Sequence, residues 1–209
     1  MALTLSQRIL RFNFDPTWFA HPARLASFGE SSEWGSDSLP NLGTASTALR
    51  DFGLTGRWCF NFDWAPSRLS LLSSHELDGV LAQLALLALP EFRTLVVRRE
   101  DREWIRAMPA ASYEGAAGVG DVFREHGEFK PASGVLRDVR LAMRRHGAAL
   151  WLALGRELGD AGLARMRLML EPALEVPTIS LPETHCSLLH HGFVSSVNPQ
   201  HHGEWSWLR

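Results

Sequence analysis

Residues 73–89, SSHELDGVLAQLALLAL, strongly constrain what this chain can become. Ser73 followed three positions later by Glu76 is a capping box, which satisfies free amide donors at a helix start. Behind it Leu77, Val80, Leu81, Leu84, Leu87 and Ala88 recur at three- and four-residue spacing. That is the stripe of a helix face turned inward. Leu86 and Leu89 widen the stripe, so the helix belongs at the centre of a core. Pro90 stops it. A chain of 209 residues, 45% hydrophobic and 21% charged, is long and apolar enough to surround such a helix without a disulfide framework. The same composition excludes a wholly disordered chain and a collagen-like repeat. The longest apolar stretch, residues 80–89, is about half the ~20 residues a spanning helix needs, so no membrane insertion is expected.

The rest of the sequence reads as further helices separated by breakers. Phe12-Asn13-Phe14 alternates and reads as a short extended piece. Asp15 then offers an N-cap and Pro16 a first helical position, which predicts a helix over residues 16–28. Residues 29–47, rich in Gly and Ser, read as a long loop carrying Trp34. Phe60-Asn61-Phe62-Asp63 repeats the tetrapeptide of residues 12–15, but the flanking residues differ, so no duplication is inferred. The charge run from Arg98 to Glu103 reads as a solvated helix surface, with Trp104, Ile105 and Met108 returning to the core. Residues 109–134 read as a second long loop with a short helix near 121–126. A helix from about residue 135 carries Leu136, Val139, Met143, Leu150 and Leu154 on one stripe, with Arg137, Arg140, Arg144 and Arg145 beside it. Helices are expected at 161–170 and 183–197, a short strand at 176–181, and a loose tail over 198–209. The fold class expected is mainly α: one irregular helical domain with long loops and at most a minor β element.

Few residues point to chemistry. No Gly-x-Ser-x-Gly elbow or phosphate-binding loop is present, and residues 115–120 do not match a dinucleotide fingerprint. His185, Cys186, His190, His191, His201 and His202 cluster late, with Cys186 and His190 placed to share a helix face. They lack the fixed spacing of zinc motifs. Cys59 and Cys186 read as two reduced thiols. The start has no basic stretch followed by a long apolar run, and Arg8, Arg11 and Asp15 interrupt its apolar residues, so no secretory leader is expected. A net charge of −2 gives no reason to expect nucleic acid as a partner. Lys130 is the one lysine, beside twenty arginines, and there are eight tryptophans against one tyrosine. Trp and Arg are the residues that dominate binding hot spots. Trp34, Arg137, Arg140, Arg144, Trp205 and Trp207 are therefore the candidate interface residues. No catalytic, cofactor-binding or metal-ligating residue is expected.

Four stretches carry a resemblance. Phe14, Pro16, His21 and Leu25, in that order, resemble the opening of the K subunit of bacterial type III secretion systems (the SctK family, which includes YscK and PscK). The helix Leu77 to Leu89 is similar to the leucine-rich central helix of that family. Gly147-Ala148-Ala149-Leu150-Trp151-Leu152-Ala153 is similar to its Trp-centred late helix. The length and the His- and Cys-bearing last helix also fit. The resemblance implies a non-enzymatic adaptor of the injectisome sorting platform, cytoplasmic and peripheral to the inner membrane. Its implied partners are the cytoplasmic domain of the inner-membrane ring protein SctD and the spoke protein SctQ, and through SctQ the proteins SctL and the ATPase SctN. Two other readings remain open on the residues: a zinc- or thiol-dependent enzyme using the cluster at 185–202, and a secretion chaperone-like helical binding module.

Overall fold

A computed structural model describes residues 3–26, 42–94, 96, 98–126, 138–197 and 206–208. Among these the regular structure is helical, as the sequence pattern predicts, and no strand occurs. The α-helices in chain order are α1 (Leu5–Phe14), α2 (Pro16–Phe19), α3 (Pro22–Leu25), α4 (Leu42–Asp51), α5 (Ser74–Ala88) and α6 (Arg99–Arg106). They continue with α7 (Pro109–Ser112), α8 (Ala116–His126), α9 (Val139–Leu154), α10 (Gly159–Met169) and α11 (Glu183–Val197). The chain groups into two compact units. The first holds Met1–Leu77 and Leu154–Leu174, the second Asp78–Ala153 and Glu175–Arg209.

In the first unit, local capping sets the boundaries. Thr4 and Gln7 close a capping box at the start of α1. Asp15 then accepts a hydrogen bond from the Thr17 amide, and Pro16 takes the first helical position. Residues 12–14 are thus the last turn of a helix and not an extended piece. The helix predicted over 16–28 is broken in two, because His21 caps a new start ahead of Pro22. The His21 amide donates to the Leu168 carbonyl at 2.8 Å, and Arg24 Nε to that of Leu170 at 3.2 Å. These bonds tie the N-terminal turns to the end of α10. α4 begins inside the stretch read as a loop. It closes in a Schellman motif: Leu54 donates to the Leu49 carbonyl, Gly53 to that of Arg50. Gly53 has φ +68°, where a side chain would be strained. Phe12, Phe19, Leu54, Leu69, Leu71, Leu72 and Met166 are fully buried in this unit.

The capping box at Ser73 forms as read. The Ser73 amide donates to Glu76 Oε2 at 2.7 Å and the Glu76 amide to Ser73 Oγ at 3.3 Å. From α5's first turn the chain passes into the second unit, where residues 80–82 and 84–89 are all buried. A helix buried on nearly every side needs apolar residues on nearly every side, hence the widened stripe. α9 crosses it closely: the Cα of Gly147 faces the Leu81 backbone, where a Cβ would collide with the carbonyl. α11 packs on α7 and α8. The second long loop is thus largely helical up to His126. Residues 174–182 form no strand, because no neighbouring segment pairs with them among the described residues. Arg145 instead holds the Glu175 carbonyl at 2.9 Å.

Candidate functional site

The interface residues read from the sequence fare unevenly. Trp34, Arg137 and Trp205 lie outside the described residues, as do His201 and His202. Trp207 is only 7% exposed, in a 3₁₀ turn at Ser206–Leu208, so it is part of the core and not a free anchor in a loose tail. Arg140 Nε donates to Asp101 at 2.8 Å and its guanidinium stacks 5.0 Å over Trp104. Arg144 donates to Asp78 at 3.0 Å. The basic side of α9 is therefore engaged with carboxylates of its own unit. Exposed pairs of this kind contribute only about 0.2–1 kcal/mol each. Cys186 and His190 do share a face of α11, but the inward one, and both are buried. Among the described residues no three His, Cys, Asp or Glu side chains converge as metal ligands would.

The exposed apolar surface lies elsewhere, in the first unit. Leu10 and Phe14, one turn apart on α1, are 54% and 44% exposed. Trp58 and Phe60, two apart on an extended segment, are 43% and 54% exposed. The ring of Phe14 lies 4.8 Å from that of Trp58 and 6.3 Å from that of Phe60. Phe12 meets Phe62 edge-on at 5.7 Å beneath. The two Phe-Asn-Phe-Asp copies thus pack against each other head to tail, one helical and one extended. They form one structure and not a duplicated fold.

Asn13, fully buried between them, provides the attachment. Its Nδ2 donates to the Cys59 carbonyl at 2.6 Å, and its Oδ1 accepts from the Cys59 amide at 2.8 Å. One side-chain amide thereby supplies the donor and the acceptor that a neighbouring strand would supply. It also fixes which side chains face out: Cys59 turns in between the exposed Trp58 and Phe60, and Phe62 turns in after the exposed Asn61.

Under this surface lies Arg165 of α10, 0% exposed. Its guanidinium sits 5.9 Å from the Phe12 ring and 6.0 Å from those of Phe19 and Trp58. It donates to the Ala161 carbonyl at 3.1 Å and the Asn13 carbonyl at 3.4 Å, and its Nε has no acceptor among the described residues. No carboxylate pairs with it there. Burial lowers its pKa from 12.5 to about 10, and the neighbouring charge of Arg57 pushes in the same direction. It remains a cation at neutral pH, compensated only by ring faces and carbonyl dipoles.

Cys59 is buried at the same place, its Sγ 3.7 Å from the Leu158 carbonyl. Burial pushes its thiol above the ordinary 9.0. Cys59 and Cys186, both buried and neither in a disulfide, are expected to resist a thiol reagent near pH 7–8 in the folded protein and to react fully in denaturant, because the thiolate is the nucleophile. Rapid labelling of native protein at Cys59 would contradict the placement of residues 57–62.

Among the described residues this surface presents no exposed nucleophile, no acid–base couple and no set of metal ligands. It offers apolar rings in water above a buried positive charge. The fold and the surface therefore describe a mainly α protein with an aromatic patch on its first unit. Comparison of the chain with protein-family models, with curated proteins and with solved structures finds no match. No helix among the described residues is long and apolar enough to cross a membrane.

Proposed function

We propose that this chain is a non-enzymatic adaptor that docks protein partners, with the surface of Leu10, Phe14, Trp58 and Phe60 as one of its contacts. The single observation carrying this reading is that four large apolar side chains are held about half exposed and next to one another. Single apolar residues on a surface are ordinary, whereas contiguous ones mark interaction sites. The backing of the patch supports the same reading. Asn13 and Arg165 hold the rings in place, so little ordering is left to be done on binding.

The resemblance to SctK supplies the partners. On it, the chain links the cytoplasmic domain of SctD to the SctQ spoke, and SctQ leads on to SctL and SctN. Its place is the cytoplasmic side of the inner membrane, without insertion. Calorimetric titration tests this: the folded protein is expected to bind the SctD cytoplasmic domain and SctQ saturably and at separate sites. Deleting the protein is expected to remove the spokes from assembled injectisomes. Absence of binding to both proteins, each shown to be folded and competent, would overturn the adaptor assignment.

A further inference from the structure

The docking surface also has a charge. Neither α1 nor residues 57–62 contains a single Asp or Glu. α1 carries Arg8 and Arg11, and the extended segment begins at Arg57. Arg8 is neutralised by Glu76 and Arg11 lies 3.8 Å from Asp15. Arg57 is exposed and makes no ion pair among the described residues. Arg165 lies beneath the rings without a carboxylate. On the extended segment, the nearest acidic side chain is Asp63, three residues beyond Phe60 and outside this basic stretch. The rings of Phe14, Trp58 and Phe60 thus stand in the field of two guanidinium groups that have no carboxylate partner among the described residues. One of these is buried, where low dielectric and poor screening extend its reach.

We infer that this surface takes an acidic, apolar segment of a protein partner, such as an amphipathic helix with Leu or Phe on one side and Asp or Glu beside them. The inference rests on the docking reading above and names the chemistry of what docks. Apolar side chains of the segment cover the rings, and its carboxylates compensate Arg57 and the field of Arg165. A second copy of this chain fits poorly. A two-fold interface built on this patch would gather two guanidinium groups from each copy in one region being dried, with no carboxylate of α1 or of residues 57–62 to offset them.

The test uses the full chain and two fluorescent amphipathic peptides of equal length, one built from Glu and Leu and the other from Lys and Leu. Anisotropy is expected to show saturable binding of the Glu/Leu peptide and none of the Lys/Leu peptide. Trp58→Ala and Phe60→Ala, each checked for native circular dichroism, are each expected to weaken binding roughly tenfold. Arg57→Glu is expected to remove the preference for the acidic peptide. No binding of the Glu/Leu peptide, or binding indifferent to Phe60→Ala, would overturn the inference. So would two other outcomes. One is binding to phosphatidylglycerol vesicles that Phe60→Ala abolishes while the peptide fails, which assigns the patch to a membrane. The other is a dimer that Phe60→Ala dissolves, which assigns it to a second copy. If the acidic peptide binds here while SctD and SctQ do not, the inference holds and the adaptor assignment falls. If SctD and SctQ bind Phe60→Ala and Trp58→Ala as they bind wild type, the reverse follows.

Discussion

Gly147→Ala is expected to destabilise the protein by at least about 3 kcal/mol, at or beyond the upper end for overpacking. On propensity alone the change would be favourable, since glycine inside a helix costs about 1 kcal/mol relative to alanine. The crossing of α5 and α9 reverses the sign. A Cβ on Gly147 would overlap the Leu81 carbonyl oxygen and come within 2.8 Å of its Cα. These are backbone atoms of a helix buried on nearly every side, so they cannot rotate away. Relief requires the two helices to separate and open the core around Leu84, Leu150 and Trp151, all fully buried. Gly79 is the control. It lies on α5 with nothing within 4 Å of an added Cβ. Gly79→Ala is expected to be neutral or to stabilise by up to about 1 kcal/mol. Urea unfolding followed by circular dichroism checks both, and equal effects at the two positions would contradict the close crossing.

Glu76→Ala is expected to cost about 3 kcal/mol, because one carboxylate serves two structures. It closes the capping box of α5 by accepting from the Ser73 amide. It also receives both Nη atoms of Arg8 at 3.0 Å, while Arg8 Nη1 is 3.3 Å from the Leu71 carbonyl. Removing it leaves a guanidinium in a largely buried place without its counter-charge. The partial exposure of Glu76 keeps the cost at the low end of the range for buried pairs. Ser73→Ala removes only the cap side chain and is expected to cost about 1 kcal/mol. Burial alone would raise the Glu76 pKa, but hydrogen bonds from Arg8 and Ser73 outweigh it and hold the carboxyl below its ordinary 4.5. A carboxyl depressed in the folded state stabilises fully above its unfolded pKa, and the contribution is lost as pH falls through the folded value. Stability of the wild type is therefore expected to fall as the pH drops below about 4.5, and Glu76→Gln is expected to flatten that part of the profile. An unchanged acid limb in Glu76→Gln would contradict the Arg8–Glu76 pair.

Features set by neighbours in sequence were legible, and those set by distant neighbours were not. The start of α5 was readable because Ser73, Glu76 and the apolar spacing all lie within a few turns. α11 was readable end to end for the same reason, from Pro182 to its last buried turn. Phe12 to Phe14 alternate, and three alternating residues fit either a strand or the end of a helix. The outcome depends on Asn13 finding Cys59, 46 residues away. Arg140 and Arg144 looked available because Asp101 and Asp78 are 39 and 66 residues distant. The repeated Phe-Asn-Phe-Asp was visible in the sequence, but its meaning was not. Composition places aromatic side chains inside, and only the packing of one copy on the other leaves Phe14, Trp58 and Phe60 in water. Arg165 carried no local signal, since its surroundings are assembled from α1, α2 and residue 58.

As proposed above, this chain joins partners through the aromatic surface of its first unit. Size-exclusion chromatography with light scattering, on the full chain mixed with the SctD cytoplasmic domain and SctQ, tests it most directly. A complex of defined mass containing all three proteins is expected, with Trp58→Ala or Phe60→Ala losing one partner and keeping the other. Three separate peaks from folded proteins would contradict the adaptor assignment, and an intact ternary complex with both variants would contradict the role of this surface.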